Sequence, residues 1–383
     1  PPTGTVNRRM DTLDGTAFRP RRAKTRMRKT LLALCAVSTL LTGCAGNPDN
    51  TNGTLTGEGA TSQQNAINLF ADVLIREHGL NLAYNATGSG AGVQKFLESV
   101  VVFGGSDSPL DADEAKRSLD RCKGHPAWHL PLVISPVAIA YNLPGVDGLV
   151  LTADALAKVF KGDITKWNDA RIKKLNPGKT LPDEHINVIF RSDKSGTTDN
   201  VQKFLAYTAP KVWKADAVGK VWQGVGNGAQ GSAGVAGDVM GNEYSITYVE
   251  GGYAKKMQTV HLDFGSGPVA MTDASAGRAL DHIRFRDNSL NRVVDTEHLY
   301  TLNKPGAYPF LLTTYEIFCS AGYSKDDRER LQTFLRSALT EGQKIVSTHG
   351  YIPLPPSYQK KLMATVEAVS YTHLRAHETG RNL

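Results

Sequence analysis

The chain has 383 residues, of which 40% are hydrophobic and 21% charged, with four cysteines and a formal net charge of +7. Residues 1–43 hold nine of the 44 Lys and Arg and two of the 37 Asp and Glu, so residues 44–383 hold 35 charges of each sign. Because the bulk of the chain is nearly neutral, its basic balance does not support a nucleic-acid-binding protein.

The first element is a short apolar segment, residues 31–41, which follows Arg28 and Lys29. It is too short to span a bilayer but has the length of a signal-peptide core, which predicts export. The segment runs into Leu41-Thr42-Gly43-Cys44, which resembles the bacterial lipobox. We therefore expect translation to start at Met27 and Cys44 to carry a palmitate-type lipid anchor, ahead of a disordered tether over residues 44–56. The alternative is ordinary secretory cleavage beside an incidental cysteine.

The body of the chain, residues 57–370, is long enough for two domains and has no apolar run that could span a membrane. Residues 371–383 have no apolar periodicity and are interpreted as a non-native tail. With Cys44 assigned to lipid, Cys122 and Cys319 remain in the body. In an oxidising compartment they form either a disulfide or two separately buried thiols.

Four short segments of the body lie where a strand pattern gives way to a glycine turn or a helix pattern. They span residues 57–62, 87–92, 101–110 and 191–198, and their polar side chains include Thr61, Ser62, Ser89, Asp107, Arg191, Ser195 and Thr197. Taken singly, Ser, Thr and Gly before a helix are explained by capping. Taken together, helix N-termini, hydroxyl donors and the guanidinium of Arg191 predict a cradle for a tetrahedral oxyanion.

Asp107 restricts which anion such a cradle accepts. A carboxylate repels an anion unless that anion carries a proton to donate. Phosphate has a P–OH group at neutral pH and sulfate has no equivalent, so the presence of Asp107 favours phosphate.

These segments resemble the phosphate-binding proteins of bacterial phosphate-specific (Pst) ABC transporters. The same order of motifs continues through Tyr141-Asn142-Leu143-Pro144-Gly145 and Ile246-Thr247-Tyr248-Val249-Glu250, and the resemblance covers nearly all of residues 57–370. It implies an α/β, type II periplasmic-binding-protein fold, with two domains around a ligand cleft and two hinge crossings. Domain I would comprise residues 57–133 and 310–370, and domain II residues 134–309. The β-rich runs 131–141 and 308–318 suit the crossings.

The resemblance also implies a set of phosphate contacts: Thr61, Ser62, Ser89, Asp107, Arg191, Ser195, Gly196 and Thr197. Asp193 would orient Arg191. Position 62 is often Phe in the family and contributes its backbone N–H, a role that Ser62 can also fill. Lys194 departs from the family's usual Gly, and it either adds charge at the rim or points to solvent.

The implied function is high-affinity binding of inorganic phosphate outside the membrane and its delivery to the permease subunits of an ABC importer. The resemblance implies a lipid-anchored monomer without cofactor, metal or enzymatic activity. One alternative is an extracellular phosphatase that uses the same cradle with Ser195 or a metal. Another is a phosphate-sensing or adhesive surface lipoprotein.

Overall fold

The computed structural model describes residues 53–370. The signal peptide, Cys44, nearly all of the predicted tether and the predicted tail lie outside the described residues. Within residues 53–370, no helix is both long and apolar enough to cross a membrane.

The described residues form twelve strands and twelve α-helices, joined by loops and four 3₁₀ segments. The strands are β1 Leu55–Gly59, β2 Leu82–Ala86, β3 Phe103–Ser106, β4 Ala127–Asn142, β5 Val150–Thr152, β6 Asn187–Arg191, β7 Asn227–Ala229, β8 Ser245–Glu250, β9 Gln258–Thr259, β10 His261–Asp263, β11 Pro268–Val269 and β12 Leu311–Cys319. The helices are α1 Gln64–His78, α2 Ser89–Leu97, α3 Ala112–Arg121, α4 Ala153–Lys161, α5 Ala170–Leu175, α6 Gly196–Thr208, α7 Gly231–Gly241, α8 Gly251–Ala254, α9 Asp273–Leu280, α10 Thr296–Tyr300, α11 Lys325–Leu339 and α12 Pro356–Ala368.

The main sheet has the strand order β2-β1-β3-β12-β4-β8-β6-β7, with β9 paired to β4. Strands β1, β2 and β3 are mutually parallel at one end, and β6, β7 and β8 are parallel at the other. The antiparallel strands β12 and β4 lie between these groups. Residues 150–152, 261–263 and 268–269 form a second, smaller sheet.

Strand β4 connects the two halves of the main sheet. Residues 127–136 pair with β12, and residues 137–142 pair with β8. All of β12 and nearly all of β4 are buried, so these strands cross the interior of the protein. The predicted strand runs 131–141 and 308–318 are confirmed in their main part by β4 and β12.

The helices bury one apolar face, as their sequence spacing predicts. In α1 the buried side chains are Ala66, Ile67, Phe70, Val73 and Leu74, which repeat at helical spacing. The helix ends at Gly79, whose φ of 63° lies in the left-handed region that glycine adopts without a steric penalty.

Glycine also sets how closely α2 approaches the sheet. A Cβ at Gly92 would lie 2.3 Å from the Cα of Gly59 and 2.9 Å from the carbonyl oxygen of Gly105. Because neither neighbour is a side chain that can move aside, only glycine allows α2 to pack directly on β1 and β3. This packing brings Ser89, the first residue of α2, to the ends of those strands.

Cys122 and Cys319 form a disulfide, with their Cα atoms 5.3 Å apart. The bond joins the C-terminal cap of α3 to the last residue of β12. Of the two alternatives left open by the sequence, the disulfide is therefore confirmed.

Candidate anion-binding site

The four predicted segments meet because each follows the carboxyl end of a parallel strand of the main sheet. After β1 a 3₁₀ turn, Thr61–Gln63, leads into α1, and after β2 the chain enters α2 at Ser89. Asp107 follows β3 directly, and Arg191 is the last residue of β6, shortly before α6. The carboxyl ends of parallel strands in an open α/β sheet are where ligands bind.

The predicted contact residues are all buried. The exposed fraction of the polar side chains is 7% for Thr61 and at most 3% for the others, namely Ser62, Ser89, Asp107, Arg191, Ser195 and Thr197. Polar groups at this depth need partners, because an unsatisfied buried donor or acceptor costs about 1–3 kcal/mol.

Asp107 receives hydrogen bonds on both carboxylate oxygens. Its Oδ1 accepts from Ser62 Oγ at 2.5 Å and from Thr314 Oγ1 at 2.7 Å. Its Oδ2 accepts from Thr197 Oγ1 at 3.1 Å. A carboxylate oxygen has two acceptor positions, so Oδ1 is saturated and Oδ2 retains one. Burial raises the pKa of Asp107 above its usual value, and the bonds from Ser62 and Thr314 oppose that shift.

Arg191 forms an ion pair with Asp193, two residues further along the chain. Its Nε donates to Asp193 Oδ1 at 2.7 Å and its Nη2 to Asp193 Oδ2 at 2.5 Å, which makes a two-pronged ion pair. Burial favours neutral Asp193, yet the hydrogen bond and charge of Arg191 hold the pKa of Asp193 below its usual value. The pair uses Nε and Nη2 and leaves Nη1 facing Ser232 Oγ at 3.4 Å.

Segment four lies directly against segments two and three. The backbone N–H of Gly90 donates to the carbonyl of Lys194 at 2.9 Å, and Asn200 Nδ2 donates to the carbonyl of Asp107 at 2.6 Å. A Cβ at Gly196 would lie 2.5 Å from Ser89 Oγ and 2.9 Å from the backbone N of Asp107. The N-terminus of α6 can therefore approach this closely only with glycine at position 196.

Ser195 caps α6, because its Oγ accepts from the backbone N–H of Thr198 at 3.2 Å. Thr198 Oγ1 lies 2.6 Å from the hydroxyl of Tyr248, a bond that holds the start of the helix against β8. Lys194 is exposed, in agreement with the solvent-facing alternative.

Three residues of this cluster were not predicted from the sequence. Ser232 is buried at the start of α7, with its Oγ 2.9 Å from Thr61 Oγ1. Its signal was present, since Ser232 follows β7 and a glycine just as the other segments follow their strands. Thr314 lies within β12, where no local pattern marked it, whereas Glu250 ends β8 and is followed by Gly251, a signal like that of the other segments.

Two buried glutamates flank the cluster. Glu250 Oε2 accepts from Ser232 Oγ at 3.1 Å, and Glu316 Oε2 accepts from Gln63 Nε2 at 3.3 Å. Burial raises the pKa of Glu250 to about 7 and that of Glu316 to about 8. Both side chains are fully buried.

A small cavity of about 140 Å³ adjoins Thr61 and Ser232 and is also lined by Thr87 and Gly231. A larger one, about 460 Å³, is lined by residues such as Tyr207, Asp263 and Tyr300 and shares no lining residue with the cluster. Within residues 53–370, no three His, Cys, Asp or Glu side chains are grouped so as to hold a metal ion.

Comparison with known proteins identifies the class. A model of the PBP superfamily domain matches residues 45–340. The fold also resembles the solved structure of a high-affinity periplasmic phosphate-binding protein (PfluDING) bound with phosphate. The two chains superpose with a TM-score of 0.65 at 20% sequence identity, and the match covers 82% of this chain and 93% of that one. The chain therefore has the predicted type II periplasmic-binding-protein fold.

The relatives are more specific. Phosphate-binding protein PstS 2 of Mycobacterium tuberculosis (strain ATCC 25618 / H37Rv) is 40% identical over 362 residues, and PstS 3 of the same strain is 38% identical over 363 residues. Each alignment covers 88% of this chain and 98% of the relative. The chain belongs to the PstS family of phosphate-binding proteins.

Proposed function

We propose that this protein binds inorganic phosphate outside the cytoplasmic membrane and delivers it to an ABC-type importer. The observation that carries the proposal is that a buried acceptor, Asp107, and a buried cation, Arg191, both lie where strand ends and helix N-termini converge. Membership of the PstS family supports the same ligand.

Asp107 would select phosphate through its remaining acceptor position. With Oδ1 saturated by Ser62 and Thr314, Oδ2 accepts from Thr197 and from the P–OH group of the anion. Sulfate has no hydrogen to donate, so the buried Asp107 Oδ2 would face a sulfate oxygen with no hydrogen bond between them. Sites built on such a bond reject the analogue that lacks it by about 10⁴–10⁵-fold.

The other predicted contacts supply donors. Because the hydroxyls of Ser62 and Thr197 are committed to Asp107, these residues would offer their backbone N–H groups, as would Gly196. The hydroxyls of Thr61, Ser89 and Ser195 would donate from the side, and Arg191 would supply the positive charge. Asp193 would fix the plane of the guanidinium through its two bonds.

We propose that binding closes two domains on the anion. Domain I would hold residues 57–133 and 310–370, and domain II residues 134–309, with β4 and β12 as the crossings. Asp107 and Ser89 then belong to one domain and Arg191 and Thr197 to the other. Since both sets are needed to satisfy the anion, phosphate stabilises the closed arrangement, whose shape a permease can recognise.

Export and a lipid anchor at Cys44 would keep the protein, as a monomer, on the outer face of the membrane beside its permease partners. A tether over residues 44–56 would allow it to reach them. We propose binding without catalysis: the hydroxyl oxygen of Ser195, the candidate nucleophile of the phosphatase alternative, accepts the helix-capping bond from Thr198.

Isothermal titration calorimetry of the purified protein with phosphate and with a phosphomonoester, combined with an assay for released phosphate, tests the proposal. We expect one phosphate bound per chain and no hydrolysis of the ester. Turnover of the ester that is lost in Ser195→Ala would instead identify a phosphatase. Absence of phosphate binding would refute the transport role.

A further inference from the structure

Glu250 is a buried carboxyl with an incomplete set of partners. It is the last residue of β8 and is fully buried. Its Oε2 accepts from Ser232 Oγ at 3.1 Å, and its Oε1 has no hydrogen-bond partner within the part of the chain that the structure describes. A carboxylate left this way in the interior is costly, whereas a protonated carboxyl is less so.

Ser232 connects this carboxyl to the cradle. Its Oγ lies 2.9 Å from Thr61 Oγ1, and the backbone N–H of Ser232 donates to Thr61 Oγ1 at 3.2 Å. Arg191 Nη1 donates to the same Ser232 Oγ at 3.4 Å. Glu250, Ser232 and Thr61 therefore form a continuous chain of hydrogen bonds that ends at a proposed phosphate contact.

The charge of Glu250 determines which group donates each hydrogen bond between Glu250, Ser232 and Thr61. A hydroxyl has one hydrogen to donate. When Glu250 is ionised, Ser232 must donate to it, so Thr61 donates to Ser232 and turns only lone pairs toward an anion. When Glu250 is protonated, it donates to Ser232, Ser232 donates to Thr61, and the Thr61 hydrogen is free to bind an anion oxygen.

We propose that Glu250 is a positioning residue for phosphate, which takes up one proton from solvent as phosphate binds and so turns the Thr61 hydroxyl into a donor. This inference rests on the proposed phosphate binding and adds a proton to it. The proton bound to Glu250 is separate from the P–OH proton that Asp107 recognises.

The charges around Glu250 agree with proton uptake. The charged and titratable groups that interact electrostatically with it are Arg191 of β6, Asp107 after β3, Tyr253 of α8 and Tyr351, which precedes α12. Burial raises the pKa of Glu250 to about 7 and the charge of Asp107 adds to the rise, while its own backbone N–H, the charge of Arg191 and the hydrogen bond from Ser232 lower it. A bound anion adds negative charge and shares the cation, so the pKa rises further. A group whose pKa rises on binding takes up a proton, and affinity falls as pH increases above the pKa of the free protein.

The test is calorimetric titration with inorganic phosphate at about pH 8.5, in two buffers of different ionisation enthalpy, which counts the protons taken up. At this pH nearly all free phosphate is the dianion, so its own proton exchange is small. Wild-type protein is expected to take up a measurable fraction of a proton, and its affinity to fall by up to about tenfold per pH unit above neutrality.

Glu250→Gln is the decisive variant, because its amide N–H₂ donates to Ser232 permanently and mimics the protonated acid. We expect it to lose the proton uptake, to flatten the pH dependence and to bind at least as tightly as wild type at about pH 8.5. A residue with only a structural role would weaken binding instead. Ser232→Ala should also remove the uptake, since it breaks the chain.

Glu316→Gln is the matched control. Glu316 is equally buried and has a raised pKa, but its bond goes to Gln63 and not to a cradle hydroxyl. The inference would be overturned, with phosphate binding intact, if proton uptake persisted in Glu250→Gln. It would also be overturned if Glu316→Gln reduced the uptake as much as Glu250→Gln does. If wild-type protein binds no phosphate, the proposed function itself fails. Thermal unfolding of each variant shows whether it is folded. If Glu250→Gln does not fold, Ser232→Ala serves as the test variant in its place.

Discussion

Removal of the buried cation should have a large effect on affinity. Arg191 is 3% exposed, and two of its nitrogens are bound to Asp193 at 2.7 and 2.5 Å. Arg191→Ala would leave a buried anion, and the largely buried Asp193, without their positive partner. Breaking a buried pair in this way costs about 3–5 kcal/mol. At 1.4 kcal/mol per factor of ten, phosphate affinity should fall by about 10²- to 4 × 10³-fold.

Arg171→Ala provides the control. Arg171 also pairs with an aspartate two positions away, Asp169, through Nη2 at 2.8 Å, but it is 46% exposed. Surface pairs of this kind contribute about 0–1 kcal/mol, so this variant should bind as wild type does. The assay is titration calorimetry on both variants at one ionic strength, after each is shown to be folded. If Arg191→Ala binds phosphate with an affinity within threefold of wild type, the assignment of Arg191 to the phosphate cradle is refuted.

Three further predictions follow. Asp107→Asn should narrow the preference for phosphate over sulfate, because an amide donates as well as accepts, and a competition titration measures the change. Gly196→Ala should abolish most binding, since its Cβ would lie 2.6 Å from the Cβ of Asp107, whereas Gly237→Ala in α7, with nothing within 4 Å, should bind normally and be slightly more stable in denaturant. Replacing Cys122 and Cys319 by Ser should lower the free energy of unfolding by about 2–5 kcal/mol in urea titrations, with phosphate affinity retained at low temperature. These assignments would be contradicted by unchanged selectivity in Asp107→Asn, by unchanged binding in Gly196→Ala, or by unchanged stability after replacement of the two cysteines.

The parts of the site that the sequence predicted are those with a local signature. Asp107 and Arg191 stand at strand ends next to glycine or hydroxyl residues, and their position follows from the pattern that surrounds them. Ser232 has a similar signature after β7 and could have been found the same way.

Glu250 has the same signature, since it ends β8 and precedes Gly251. Thr314, in contrast, could not be predicted locally. Whether a side chain in a buried strand faces the site depends on strand register, and a slip of one residue turns it to the opposite face. Strand β12 has such an irregularity between Thr314 and Tyr315, where its register with β4 shifts. Both faces of the strand are buried, so apolar alternation gives no indication of which residue points toward Asp107. Only the assembled sheet determines this.

The ratio of the affinities for phosphate and sulfate tests the central claim most directly. Both anions are titrated into the same preparation of wild-type protein at neutral pH and constant ionic strength. If Asp107 Oδ2 accepts the P–OH hydrogen, phosphate binds one per chain and sulfate binds about 10⁴-fold more weakly or not at all. Sulfate affinity within tenfold of that for phosphate would show that the anion is recognised by charge and shape alone, and that Asp107 does not read its proton.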